Sequence, residues 1–152
     1  MLRLGDVNGN PYVGVYCAAS ESLAIVADTA EPKVVREIVR ALDVEVITTV
    51  IGGATVVGSL VAMNSNGAVV TNFAEKNELA RLPKGLRVAK MEEKVNAAGN
   101  NILVNDKAAL VHPATSNQML RLIADVFDVE AQRGRVAGIE TVGSACVVTS
   151  KG

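Results

Sequence analysis

Hydrophobic and polar positions recur along this chain with a period of about forty residues. Each period contains a glycine that follows Val or Ala and precedes a run of small or apolar residues, and successive glycines lie 44, 41 and 44 residues apart. These glycines are Gly14, Gly58, Gly99 and Gly143. Such spacing indicates a repeated supersecondary unit. We therefore interpret residues 1–152 as a single repeat domain with repeats at about 8–50, 51–94, 95–135 and 136–152.

The apolar spacing within a repeat predicts the order strand, turn, strand, helix, strand. In the first repeat YVGVYCAAS and LAIVAD predict two strands, PKVVREIVRAL has helical spacing with Pro32 in its first turn, and VEVITTV predicts the last strand. In the third repeat the helix SNQMLRLIADVF is predicted to begin with a capping box of Thr115 and Gln118. The second repeat has a weaker helix at 75–82, and its Asn-Gly step at 66–67 is typical of a hairpin turn.

The fourth repeat is shorter than the other three. Its sequence TVGSACVVTSKG matches only the start of the unit, and it predicts a first strand without a return strand. A strand without its hairpin partner exposes backbone groups that another chain or segment would pair. We therefore expect an α/β fold of three complete ββαβ repeats plus the first strand of a fourth. Self-association through that strand is a further expectation, and a missing C-terminal segment is the other explanation.

Composition limits the class of partner. Fifteen basic and sixteen acidic side chains give a formal net charge of -1, so no global positive field is available for a nucleic-acid backbone. Two Phe, two Tyr and no Trp argue against stacking platforms for single strands. Two cysteines make no disulfide framework, and no apolar stretch suits a signal peptide or a membrane helix. We expect a cytoplasmic protein whose partner is a protein surface with at most local RNA contact.

Four sequence blocks resemble one known family. The blocks IGGATVVGS, NSNGAVVTN, AAGNNILVNDKAALVHP and TVGSACVVTSKG stand in the order found in the translation initiation factor 6 family, and the resemblance covers essentially the whole chain. It implies a pentein-type α/β propeller, a ring of five blades, of which this chain has three and part of a fourth. It also implies a non-catalytic factor without a cofactor that binds the large ribosomal subunit, excludes the small subunit and acts in large-subunit biogenesis.

The residue after each repeat glycine is predicted at one end of the first strand. These positions then form one rim of the ring, about 20 Å from the hairpin turns on the other rim. The resemblance implies that this first rim meets the ribosome, on a ribosomal protein face. The predicted binding residues are Ser59, Asn100, Ser144 and Ala145. The repeat glycines are predicted to provide backbone geometry or close approach. The alternative is that Asn100 and the two serines satisfy local backbone groups.

Other distinctive residues have simpler interpretations. Cys17 and Cys146 share one repeat position and are interpreted as buried small hydrophobes. His112 is interpreted as a junction residue, and one histidine without a Cys or carboxylate cluster predicts no metal site. Tight turns explain the asparagines Asn64, Asn66 and Asn105. The basic residues Lys84, Arg87 and Lys90 are interpreted as a solvated face, with an RNA phosphate contact as the alternative.

Two other functions stay open at this point. Penteins also include enzymes that modify guanidino groups, and here Cys17 or Cys146 would be the nucleophile and His112 would move protons. Thiol reactivity distinguishes that hypothesis, because a catalytic thiolate alkylates quickly near neutral pH. The second alternative is a truncated pentein scaffold that folds, by associating with another copy, without acting on ribosomes. The mass of the chain in solution distinguishes this alternative, because association with another copy would raise it.

Overall fold

The computed structural model describes residues 4–151 and has a mixed α/β fold with three sheets. Each sheet has three strands in sequence order, the first pair antiparallel and the second pair parallel. The strands are β1 (Cys17–Ala19), β2 (Leu23–Ala27), β3 (Glu45–Thr49), β4 (Val61–Met63), β5 (Gly67–Thr71), β6 (Arg87–Met91), β7 (Ile102–Val104), β8 (Ala108–Val111) and β9 (Glu130–Arg133). The predicted α/β class is confirmed, whereas a closed propeller stays a prediction.

The helices of the described residues are of two kinds. Crossover helices join the parallel strands, and single helical turns lie before the first strand of each sheet and at the corresponding place in the fourth repeat. The helices are α1 (Val13–Tyr16), α2 (Pro32–Leu42), α3 (Val57–Leu60), α4 (Lys76–Leu79), α5 (Ala98–Asn101), α6 (Asn117–Phe127) and α7 (Val142–Ala145). None of them is both long and apolar enough to cross a membrane.

The predicted first strands were too long. YVGVYCAAS was predicted as one strand, but residues 13–16 form the helical turn α1 and only residues 17–19 form β1. A short apolar run has no periodicity that separates a helical turn from a strand. Because a helix rises about 1.5 Å per residue and a strand about 3.3 Å, the two ends of this segment lie closer together than the predicted 20 Å.

The predicted first strand of the fourth repeat is also wrong for the described residues. After α7 the backbone is extended at Cys146, with φ −149° and ψ 152°, but residues 146–149 form no strand. A ladder needs a hydrogen-bonding partner strand, and none lies beside them in the described part of the chain. Asn105 nevertheless holds this segment, because its Nδ2 donates to the carbonyl oxygen of Thr149 at 2.9 Å. Gly152, at the predicted hairpin turn, lies outside the described residues.

The crossover helices follow the predicted pattern with local differences. The bounds of α2 are those predicted, with Pro32 in the first turn. The capping box of Thr115 and Gln118 is wrong, because Ser116 is the N-cap and its Oγ accepts from the backbone N–H of Met119 at 3.1 Å. The predicted helix at 75–82 is shorter and forms only at 76–79, where its sequence has few apolar positions in helical spacing.

The core lies between successive sheets. Alternate residues of β5 face opposite neighbours, as the two-residue period of a strand requires. Ala68 and Val70 pack toward the first repeat, and Val69 packs toward the third. The helix α6 of the third repeat lies between two sheets, because it contacts β5 and β6 of the second repeat and β9 of its own repeat. With the repeats packed in this way, the single helical turns of successive repeats lie side by side.

Candidate functional site

The single helical turns lie in a row in which α3 contacts α1, α5 contacts α3 and α7 contacts α5. At each contact a glycine backbone meets the glycine carbonyl of the preceding repeat. A Cβ built on Gly58 would overlap the carbonyl oxygen of Gly14, and a Cβ on Gly99 would overlap that of Gly58. Gly143 has the same relation to Gly99. Any larger residue at these three positions would separate the repeats, since a protein interior leaves no room for an extra methyl group.

This row of turns forms the floor of a groove of about 370 Å³ on one end of the molecule. None of its lining residues has a charged side chain. They are Tyr12, Gly14, Val15, Gly58, Ser59, Gly99, Asn100, Gly143, Ser144, Ala145, Cys146 and Val147. The structure therefore brings together the residues that the sequence predicted as a binding surface: Ser59, Asn100, Ser144 and Ala145. We call this groove and its edges the glycine rim.

Hydrogen bonds distinguish the polar residues that line the glycine rim from those that lie next to it. Buried Asn101 donates from Nδ2 to the carbonyl oxygens of Ala97 at 2.9 Å and Val95 at 3.2 Å, so it satisfies the local backbone. Ser144 does the same through its Oγ, which donates to the carbonyl oxygen of Thr141 at 2.8 Å. The alternative interpretation therefore fits Ser144. For Asn100 both interpretations stay predictions, and the backbone contacts given above belong to its neighbour Asn101.

A tight turn that was not predicted precedes three of the helical turns. Each turn is closed by an isolated β-bridge and has two central residues with positive φ, which defines a type I′ turn. The central pairs are Asn8-Gly9, Gly52-Gly53 and Ala137-Gly138. The Asn-Gly and Gly-Gly steps are sequence signals for such a turn. Ala137 gives no such signal, because alanine rarely adopts a positive φ, although its φ is 49° in this turn.

Buried Glu78 fixes one of these turns, a role that no pattern in the sequence predicted. Its two carboxylate oxygens accept from the backbone N–H groups of Gly52 and Gly53, both at 2.7 Å. One oxygen also accepts from the backbone N–H of Glu75 at 2.8 Å. Burial alone raises the pKa of this carboxylate, but its three backbone donors and the charge of Arg81 outweigh burial and hold the pKa below that of an ordinary glutamate.

The two cysteines differ although they share one repeat position. Cys17 is partly buried against Val26 and Ile38 in the first repeat, and burial raises the pKa of its thiol to about 11. Cys146 is exposed on the glycine rim, so its interpretation as a buried hydrophobe is wrong. The described residues that follow Cys146 form no strand or helix over it, whereas α2 covers the equivalent slot in the first repeat.

We expect the native chain to present one reactive thiol. At neutral pH a thiol with a pKa of about 11 is a thiolate in only about one molecule in ten thousand, so Cys17 reacts slowly, and Cys146 reacts first because it is exposed. Counting thiols with a chromogenic disulfide reagent checks this, before and after unfolding in denaturant. Cys146→Ser should remove the fast phase. Rapid reaction of Cys17 in the folded Cys146→Ser chain would contradict the assignment.

His112 lies directly after β8 and before α6, at a strand-to-helix junction, and it contacts the fourth repeat through Glu140. Its Nδ1 accepts from the backbone N–H of Ala114 at 3.0 Å, and its Nε2 lies 3.5 Å from a carboxylate oxygen of Glu140. Its backbone N–H donates to the carbonyl oxygen of Asn101 at 2.9 Å. The described residues contain no group of three or more His, Cys, Asp and Glu side chains that could hold a metal ion.

The turn asparagines link repeats as well as closing turns. The Oδ1 of buried Asn64 accepts from the N–H of Asn66 and Gly67, as a tight turn requires. Its Nδ2 donates across to the carbonyl oxygens of Asn105 at 3.2 Å and Phe127 at 2.9 Å. These turns therefore tie the second repeat to the third at the end opposite the glycine rim.

Of the basic residues Lys84, Arg87 and Lys90, the first two are exposed and Lys90 is partly buried, and two of the three also donate hydrogen bonds to the backbone. Arg87 Nη1 donates to the carbonyl oxygen of Asp125 at 2.7 Å, and Lys90 Nζ donates to that of Asn72 at 3.2 Å. Lys84 is exposed, as predicted. None of the three lines the glycine rim.

Comparison with known proteins gives one consistent result. The model of the eIF-6 family matches residues 2–152. The chain is 42% identical over 142 residues to translation initiation factor 6 of Archaeoglobus fulgidus, which covers 93% of this chain and 66% of that relative. It is 41% identical over 155 residues to translation initiation factor 6 of Methanosarcina mazei, and that match covers 100% of this chain and 69% of the relative. The chain thus spans about two thirds of the length of the relatives it matches.

Proposed function

This chain belongs to the eIF-6 family, and from that premise we propose that it is a translation initiation factor that binds the large ribosomal subunit through the glycine rim. Bound there, the body of the protein occupies the space in which the small subunit docks, so joining is blocked by steric exclusion. The observation that carries the proposal is the gathering of Ser59, Asn100, Ser144 and Ala145 in one groove. A role in large-subunit biogenesis belongs to the same proposal, since the factor binds the free large subunit.

The chemistry of the glycine rim favours a protein face with limited rRNA contact. Phosphate backbones are bound mainly by Lys and Arg, and the groove lining has neither. Small polar side chains beside exposed Tyr12 and Val147 resemble the mixed polar and apolar surface of a protein interface. The near-neutral overall charge agrees with this partner.

The ring architecture is part of the proposal. The helix α6 packs on the sheet of the preceding repeat, and Gly58, Gly99 and Gly143 each pack on the glycine of the preceding repeat. The same arrangement can therefore be repeated around an axis. The relatives are about half as long again as this chain, which at roughly forty residues per unit leaves room for a completed fourth repeat and a fifth. We infer a five-bladed pentein ring for the relatives, in which the part that matches residues 1–152 forms three repeats and the start of a fourth.

No catalytic role is assigned. The relatives are named as translation initiation factors, a class of protein that is not enzymatic. A guanidino-modifying enzyme needs a thiolate nucleophile near neutral pH, and burial moves the pKa of Cys17 in the opposite direction. Cys146 is exposed, but it lies on the uncharged glycine rim, which has no carboxylate to hold a guanidinium cation.

Blocking the glycine rim tests the proposal. We expect the chain to co-sediment with isolated large subunits, to leave small subunits unbound, and to lower subunit joining in a sucrose gradient. Attaching a bulky maleimide to exposed Cys146 should abolish all of this, because the label fills the groove. The matched control is Cys146→Ser exposed to the same reagent, which should still bind. A folded, unlabelled chain that binds neither subunit would favour the scaffold hypothesis instead.

A further inference from the structure

Each of the three complete repeats ties the loop before its helical turn to the segment between its second and third strands. In the first repeat Asn8 Nδ2 donates to the carbonyl oxygen of Thr29 at 2.9 Å. In the third repeat Glu93 Oε1 accepts from the backbone N–H of Ser116 at 3.0 Å. Both hydrogen bonds lie at exposed positions, so water competes with them.

The corresponding tie of the second repeat is buried and consists of two hydrogen bonds to the turn. The carboxylate of Glu78 accepts from the backbone N–H groups of Gly52 and Gly53, both at 2.7 Å. Hydrogen bonds to an ionised acceptor are roughly twice as strong as those between neutral groups, and burial removes the competition from water. The second repeat therefore holds its loop more firmly than the first and third repeats hold theirs.

An aromatic ring lies on the same turn. Gly52 has φ 61°, and a Cβ built on it would overlap the ring of Phe73. The ring therefore lies directly against the Gly52 backbone, although 49% of Phe73 is exposed to solvent. Glu78 and Phe73 both belong to the segment that joins β5 to β6, so this one segment holds the turn by two kinds of contact.

The turn is connected to the glycine rim through residues 51–59. Ile51 and Ala54 close the turn with two backbone hydrogen bonds of 3.1 Å. Two residues later the carbonyl oxygen of Val56 accepts from the backbone N–H of Ser59 at 3.0 Å. Ser59 lines the glycine rim. A movement of the turn therefore reaches a rim residue along a short stretch of backbone.

The helical turn α3 depends on its surroundings for its shape. A single turn of helix is not stable by itself, because few hydrogen bonds offset the order that it requires. Val57 and Leu60 are buried and hold its inner side, and the strand β4 that follows is buried throughout. The N-terminal end of α3 has no side-chain cap, so the turn at 51–54 is the restraint that precedes it.

We propose that Glu78 is a positioning residue for the glycine rim: it orders the segment that leads into α3 and thereby holds Ser59 in place for the binding partner. This role rests on the proposed function, since it gives Glu78 a part in binding through that rim. Glu78 does not line the groove, so it acts through the turn and not by contact with the partner. A binding surface that is already ordered avoids the cost of ordering on association, so loss of the tie should weaken binding.

Backbone amide hydrogen exchange tests whether Glu78 orders this segment. In folded Glu78→Gln we expect the amides of residues 52–60 to exchange about tenfold faster than in the wild type, because fewer hydrogen bonds then hold the turn closed. The matched control is Val126→Ala, which destabilises the core beside Gly67, at the end opposite the glycine rim. Its exchange should change around α6 and not selectively at 52–60.

Binding to isolated large ribosomal subunits tests the consequence for the glycine rim. At a temperature where circular dichroism shows every chain to be folded, Glu78→Gln should bind about fivefold more weakly than the wild type. Val126→Ala should bind as the wild type does, because its change lies in the core and leaves the turn before α3 intact.

The possible results separate this role from the proposed function itself. Faster exchange confined to residues 52–60, together with weaker binding by Glu78→Gln alone, would support the positioning role. Equal binding by the wild type and Glu78→Gln, unchanged exchange at 52–60, or the same loss of affinity in Val126→Ala would overturn that role and leave the proposed function standing. A folded wild-type chain that does not bind large subunits would overturn both.

Discussion

Gly99→Ala should destabilise the chain severely, and Gly14→Ala should not. A Cβ at Gly99 would overlap the carbonyl oxygen of Gly58 and would lie 2.8 Å from that of Val61. Both obstacles are backbone atoms, which cannot rotate away as a side chain can. Relief requires α5 to move off α3, and we expect a loss of about 3 kcal/mol in the free energy of unfolding.

Gly14→Ala is the matched control. Gly14 occupies the same position in the first repeat, but no atom lies within 4 Å of a Cβ built there. Its conformation is helical, and alanine favours a helix and restricts the unfolded chain. We expect a change between zero and a gain of about 1 kcal/mol. Urea unfolding followed by circular dichroism measures both variants, and equal losses at the two positions would contradict the account of glycine packing.

Glu78→Gln should cause the second large loss of stability. The carboxylate accepts three backbone N–H groups, and the amide that replaces it keeps only one acceptor oxygen. At least one buried donor of the Gly52-Gly53 turn is then unsatisfied, and we expect a loss of about 2 kcal/mol. Glu92→Gln makes the same charge change at an exposed position and should have little effect.

The pH dependence of stability separates this role of Glu78 from simple packing. Its pKa is lowered in the folded state, so its contribution is fully present above the pKa of an unfolded glutamate and is lost as the pH falls through the folded-state pKa. The wild-type chain should therefore lose more stability between neutral pH and pH about 3 than Glu78→Gln does. Parallel pH profiles for the two proteins would show that the carboxylate is not stabilised in this way.

Local patterns in the sequence predicted the longer elements well. The helix α2 has its predicted bounds because five apolar residues in helical spacing follow Pro32, and both signals lie within one segment. The predicted hairpin at 64–67 is present, and Asn64 closes it by accepting from the backbone N–H groups of Asn66 and Gly67, although neither of these two residues has a positive φ. These features depend on neighbours in the chain, so the sequence alone is informative about them.

Several features that depend on packing between repeats were not predicted. A four-residue turn such as α3 has no periodicity, and its helical form is favoured by contact with α1 and α5. Glu78 could not be recognised, because its partners Gly52 and Gly53 are 26 and 25 residues away. The exposure of Cys146 depends on which later residues cover it, and its repeat position, shared with Cys17, wrongly predicted burial. Within the predicted site, only the structure distinguishes Asn100 from its backbone-binding neighbour Asn101.

Sedimentation of Asn100→Arg with ribosomal subunits tests the central claim most directly. Asn100 lines the glycine rim, and a long charged side chain there would fill an uncharged groove without entering the core. The matched control is Ser22→Arg, which adds the same side chain to an exposed hairpin turn in the first repeat. We predict that the wild type and Ser22→Arg co-sediment with large subunits only, and that folded Asn100→Arg binds at least about tenfold more weakly. Equal binding by all three proteins would contradict docking through the glycine rim.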